Sequence, residues 1–199
     1  MTSLDAKVGV KADGKIDAKE AASALSDIDD IARRVRQSTI YQIAGLMLLA
    51  WGSLVFAGNI ASYLWPAKAG YIWIAVNVAG FVGSCIIGVL ERRRSRMRRF
   101  DSRSVAAFVL FFAFGILWSI GLGQYGPREL GVFWPTYFMM VYTIVGLWVG
   151  PAFVTIGLGI TALTLIGYFF VHDWLDLWMA AVNGGGLVLG GLWMRRDQV

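Results

Sequence analysis

A chain of 199 residues with 57% hydrophobic residues, only 16% charged residues and a formal net charge of +5 does not read as an ordinary water-soluble domain, where about 25% of residues are charged. Mean hydropathy is +0.62, and between residues 40 and 194 the charges stand in short clusters separated by apolar runs. That segregation excludes amphipathic elements folding around a core in water. In such a chain a basic excess bears on membrane topology and anionic lipid before nucleic acid.

Residues 1–25 are rich in Ala, Lys and Asp and are expected to form a polar, disordered cytoplasmic tail. Within them "KADGKIDAKE" matches a calcium-binding loop at Gly14, Ile16 and Glu20. Gly9 and Lys11, however, stand where the ion needs oxygen ligands, so no calcium site is expected. Residues 26–39 read as an amphipathic juxtamembrane helix. Ser26 and Asp29 form a capping signal, and Asp29–Arg33 and Asp30–Arg34 are acid-to-base pairs four apart. Leu25, Ile28, Ala32 and Val35 share one face, suited to a membrane surface or to a docking partner. These first 39 residues contain no signal-peptide apolar region, so insertion is expected to use an internal segment.

A membrane-spanning helix needs about 20 mostly apolar residues. Six segments qualify, at 40–64, 70–90, 104–123, 130–149, 151–171 and 176–194. Pro66 closes the first, and Gly150-Pro151 divides the fourth from the fifth, a proline being well placed in a first helical turn. The expected fold is all-α: a polytopic membrane domain of six transmembrane helices in three hairpins over 40–194, with a short cytoplasmic end at 195–199. Gly-Leu-Trp recurs at 146–148 and 191–193, a short match that fits duplicated hairpins.

Orientation follows from the basic residues, which concentrate on cytoplasmic loops. "ERRRSRMRRFDSR" at 91–103 carries Arg92, Arg93, Arg94, Arg96, Arg98, Arg99 and Arg103 between the second and third spans. Arg33, Arg34 and Arg36 precede the first span, and Arg195 and Arg196 follow the sixth. A six-span zigzag puts 16 of the 18 Lys and Arg residues on one side and leaves Lys68 and Arg128 on the other. Both termini are therefore expected in the cytoplasm of a cell that has a bacterial-type inner (plasma) membrane. Tyr63, Trp65, Tyr71, Trp73, Tyr125, Trp134, Tyr168 and Trp174 flank the three outer turns, as residues with an apolar ring and a polar tip do at headgroup depth. The arginine loop is explained by topology and anionic headgroups, with an acidic protein partner as the functional alternative. Phe100 is its only aromatic, too little for base stacking, so no nucleic-acid partner is expected.

Chemistry inside the spans is limited by what is missing. No Asp, Glu, Lys, Arg or His falls near the middle of any predicted span, and such residues are functional by default. His172 and Cys85 are each single, which rules out bis-histidine haem ligation and dithiol redox chemistry. "HDWLD" (172–176) reads as a hydrated outer turn. No catalytic, cofactor or metal residues are assigned, and the chain is expected not to be an enzyme. Asn59, Asn77 and Asn183 stand out, because an amide in lipid needs a partner. They are read as helix-to-helix glue or, alternatively, as a polar path. Gly186 and Gly190, in "GGGLVLGG", are read as a close helix-packing pair, internal or between two copies. The function expected is a non-catalytic membrane scaffold or regulatory partner; the alternative is a facilitative transporter or channel for a small neutral or lipophilic molecule. The partners expected are anionic lipids at the cytoplasmic side, with a protein partner or a second copy of the chain as further occupants.

Overall fold

The computed structural model describes residues 18–95 and 102–196. The structure is 94% helix with no strand among the described residues, and six of its helices are long and apolar enough to span a membrane. The chain forms two compact units, Met1–Arg36 and Gln37–Val199.

In the first unit, helix α1 (Ala18–Leu64) is already formed at Ala18, eight residues before the start expected from the Ser26 cap. The run Ala18-Lys-Glu-Ala-Ala-Ser-Ala-Leu explains the difference: it consists almost entirely of strong helix formers, so Ser26 lies inside the helix. The ion pair that forms is Asp30–Arg33, at 3.9 Å and exposed, in place of the two pairs expected at a spacing of four. Leu25, Ile28, Ile31 and Val35 are all exposed.

The second unit begins within α1, which stops at Leu64. Pro66 opens a short 3-10 turn, Pro66–Lys68, that leads into α2 (Ala69–Ser95). Helix α3 (Ser102–Ile116) continues as a π-helical turn, Leu117–Leu122. Helices α4 (Pro127–Val149) and α5 (Pro151–Phe170) each start on a proline, where the missing N–H breaks no intrahelical bond. The last span consists of α6 (Leu175–Met179), a second π-helical turn (Ala180–Gly185) and α7 (Gly186–Arg196). Pro135 lies inside α4; the next residue, Thr136, donates its hydroxyl to the carbonyls of Val132 and Phe133 at 2.9 Å.

Contacts between helices run antiparallel. Trp51 of α1 meets Gly80 and Ser84 of α2, while Gly58 meets Val76. Gly45 and Gly52 of α1 meet Gly191 and Gly184 of the last span. Along α4 and α5, Gly146 faces Phe153 and Val154, and Gly157 faces Met139 and Thr143. These contacts bring the helices into close van der Waals packing. Glycines at the contacts let the backbones approach.

The core draws on α1, α4, α5 and the last span, around Tyr41, Leu48, Met139, Phe153, Ile156, Leu187 and Met194. Burial of the spans grades outward from it. Half of the apolar window of the last span is buried, against 33% for α5, 17% for α4, 11% for α3 and 6% for α2. Helix α3 is held to α4 by rings: Phe111 stacks on Tyr137 at 4.3 Å, and Tyr137 donates its hydroxyl to the Phe111 carbonyl at 3.1 Å. Helix α2 is tied to α1 mainly at Trp51, whose indole N–H donates to Ser84 Oγ at 2.9 Å.

Candidate functional site

The three asparagines are placed differently from one another. Asn183 is 2% exposed and sits in the π-helical turn of the last span. Its Nδ2 donates across to Thr164 Oγ1 of α5 at 3.2 Å and to Met179 Sδ at 3.3 Å. Thr164 is itself fully buried. Asn59 is buried on α1 and donates to the Val55 carbonyl of its own helix at 2.9 Å. Asn77 is exposed on α2 and donates to the Trp73 carbonyl at 2.8 Å. Only Asn183 bonds across a helix interface, and none of the three donates to another.

The glycines of the last span divide between two neighbours. A Cβ on Gly190 would lie 2.8 Å from Ile156 Cδ1, and one on Gly186 would lie 3.2 Å from Ile160 Cγ1, so this pair faces α5. Gly184 and Gly191 face α1: their added Cβ atoms would lie 2.5 Å from Phe56 Cα and 2.8 Å from the Gly45 carbonyl oxygen. The second pair matches Gly45 and Gly52 in its seven-residue spacing, a sequence signal that identifies a shared stripe on each helix but not its partner.

Of the basic residues, Arg33 and Arg34 are exposed. Arg36, Arg92, Arg93 and Arg94 are helical, in α1 and α2. Arg96, Arg98 and Arg99 lie outside the described residues. The stem of Arg195 lies along α1 beside Gly45.

Arg128 has a role that the charge count missed. Its Nη1 donates to the His172 carbonyl at 2.9 Å, and its Nη2 donates to those of Tyr168 and Val171 at 3.0 and 2.8 Å. The guanidinium also stands 5.5 Å from the centroid of the Tyr168 ring. These carbonyls end α5, where the helix dipole is negative and acceptors lack intrahelical donors. A planar, rigid fork of N–H donors serves three of them at once. Trp178 completes the fixing of this end of α5, its indole N–H donating to the Leu163 carbonyl at 2.9 Å beside Gly167.

Among the described residues the buried polar side chains are Asn59, Ser62, Ser119, Thr164 and Asn183. Ser119 donates to the Gly115 carbonyl at 2.6 Å, whereas the Ser62 hydroxyl has no partner among the described residues. Among those residues no group of three His, Cys, Asp or Glu side chains is arranged to hold a metal ion. Comparison of the chain with protein-family models, curated proteins and solved structures gives no match.

Proposed function

We propose that this chain is a multi-pass integral membrane protein that acts without catalysis, as a scaffold or regulatory partner of another component. Its six spans form three hairpins, with both termini and the arginine-rich 91–103 segment on the cytoplasmic side of a bacterial-type inner membrane. The observation that carries the reading is how the intramembrane amides are used. Asn183 donates across to Thr164, Asn59 and Asn77 each donate to a carbonyl of their own helix, and none of the three donates to another, whereas a substrate path needs such groups converging on one channel. The arginines of 91–103 then supply a docking surface for an acidic partner, reinforced by anionic lipid.

A facilitative path for a small neutral molecule is the second reading, and it draws on the unpartnered, buried Ser62 hydroxyl. The two separate in one experiment. With Arg92, Arg93, Arg94, Arg96, Arg98 and Arg99 all changed to Gln, the chain should still insert into membranes but lose a partner that cross-links stoichiometrically to the wild type. Proteoliposomes should pass small neutral solutes no faster than protein-free vesicles. Solute flux well above that of empty vesicles, or partner recovery unchanged by the six substitutions, would favour the path over the scaffold.

A further inference from the structure

Asn77 is the polar side chain hardest to account for within a single copy. It lies eight residues into α2, about 12 Å along the helix at ~1.5 Å per residue, past Tyr71 and Trp73 and inside a hydrocarbon layer about 30 Å thick. A primary amide has two N–H donors and a carbonyl oxygen with two acceptor sites. One N–H reaches the Trp73 carbonyl at 2.8 Å; the other N–H and the oxygen have no partner among the described residues. Exposed on a helix whose apolar window is only 6% buried, these groups face the surrounding lipid. Acyl chains supply neither donor nor acceptor, so the arrangement is strongly unfavourable in a lone copy.

We infer that α2 is the interface through which two copies of this chain associate in the membrane, with Asn77 at its centre. The free groups need a donor and an acceptor at the same depth. A second copy, related by a two-fold axis along the membrane normal, brings the same amide to that depth by symmetry. Each N–H then meets the partner's oxygen, since a two-fold interface is self-complementary. The surface around Asn77 suits close approach. Ile74 and Phe81 flank it, 63% and 60% exposed. Gly70 and Gly88, on the same stripe, have no atom within 4 Å of where a Cβ would stand. Gly186 and Gly190 are not available for this purpose, because α5 occupies them.

The inference rests on the membrane reading, and the test separates the two. The full chain, labelled with one fluorophore, is reconstituted into vesicles at increasing protein-to-lipid ratio and counted by single-molecule photobleaching. The wild type should pass from monomer to dimer. Asn77→Leu should need roughly tenfold higher density, within the range expected for amide bonds between spanning helices, while Asn77→Gln should stay close to the wild type. Asn77 bonds only within its own helix, so an unchanged unfolding curve for Asn77→Leu would show that its monomer is intact. In a Cys85→Ser background, Phe81→Cys should form an intermolecular disulfide, and Ile86→Cys, on the opposite side of α2, should not. A wild type that inserts but remains monomeric at every density would overturn the inference. So would an Asn77→Leu variant that associates as well as the wild type, or a disulfide at 86 in place of 81. A chain that does not enter the vesicles would overturn the membrane reading as well.

Discussion

Gly150→Ala should lower the stability of the folded chain by about 2–6 kcal/mol, as the sum of strain and overpacking. Gly150 is the single residue between α4 and α5, with φ 153° and ψ 164°. That region is open almost only to glycine, and a side chain there costs about 1–3 kcal/mol. Space is also lacking. An added Cβ would overlap the Tyr41 hydroxyl and stand 2.8 Å from Gln37 Nε2, and forcing atoms into a filled site costs about 1–3 kcal/mol. The two contributions separate in a second background. Tyr41→Phe removes the overlapping oxygen but leaves Gln37 in place, so Gly150→Ala measured in Tyr41→Phe should recover part of the steric cost and keep the backbone strain. Reversible unfolding in mixed micelles reads both. Equal losses in the two backgrounds would mean that Tyr41 does not crowd Gly150.

The second large effect contrasts adjacent residues. Gly184→Ala should destabilise by about 1–3 kcal/mol, whereas Gly185→Ala should stay within about 0.5 kcal/mol of the wild type. A Cβ on Gly184 would meet Phe56 Cα and Cβ at 2.5 Å and its backbone nitrogen at 2.7 Å. Two of those atoms are backbone and cannot swing away, so α1 and the last span would have to separate. A Cβ on Gly185 has no atom within 4 Å. The same unfolding assay applied to both variants checks this register. Similar losses at 184 and 185 would place the contact with α1 elsewhere.

Much of the architecture is legible because long apolar runs bounded by proline, glycine and charge mark helices of spanning length directly. The expected end at 64, the division at Gly150-Pro151 and the start of the last span near 176 agree with the observed helices to within a residue. The two π-helical turns were not legible. In the first, Gly123 N donates to the Trp118 carbonyl five residues back, and the second, at Ala180–Gly185, carries Asn183 against Thr164 of α5. Glycine spacing showed where helices come close but not to which neighbour. The sequence marked Gly186 and Gly190, which meet α5, while the contact with α1 lies at Gly184 and Gly191. The role of Arg128 is not legible either, since nothing local announces that a residue 40 positions away supplies the carbonyl it binds. The start of α1 is not legible from the capping signal at Ser26, because the alanine-rich stretch before it simply continues the helix.

The proposed topology requires the chain to cross a bilayer an even number of times, with the arginine-rich segment and the His172–Trp174 turn on opposite sides. Cysteine accessibility tests this directly. In a Cys85→Ser background, Met97→Cys and Asp173→Cys are treated separately with a membrane-impermeant thiol reagent, in intact cells and after permeabilisation. With the proposed topology, residue 173 reacts in intact cells and residue 97 reacts only once the membrane is opened. Labelling of both positions from the same side would contradict it.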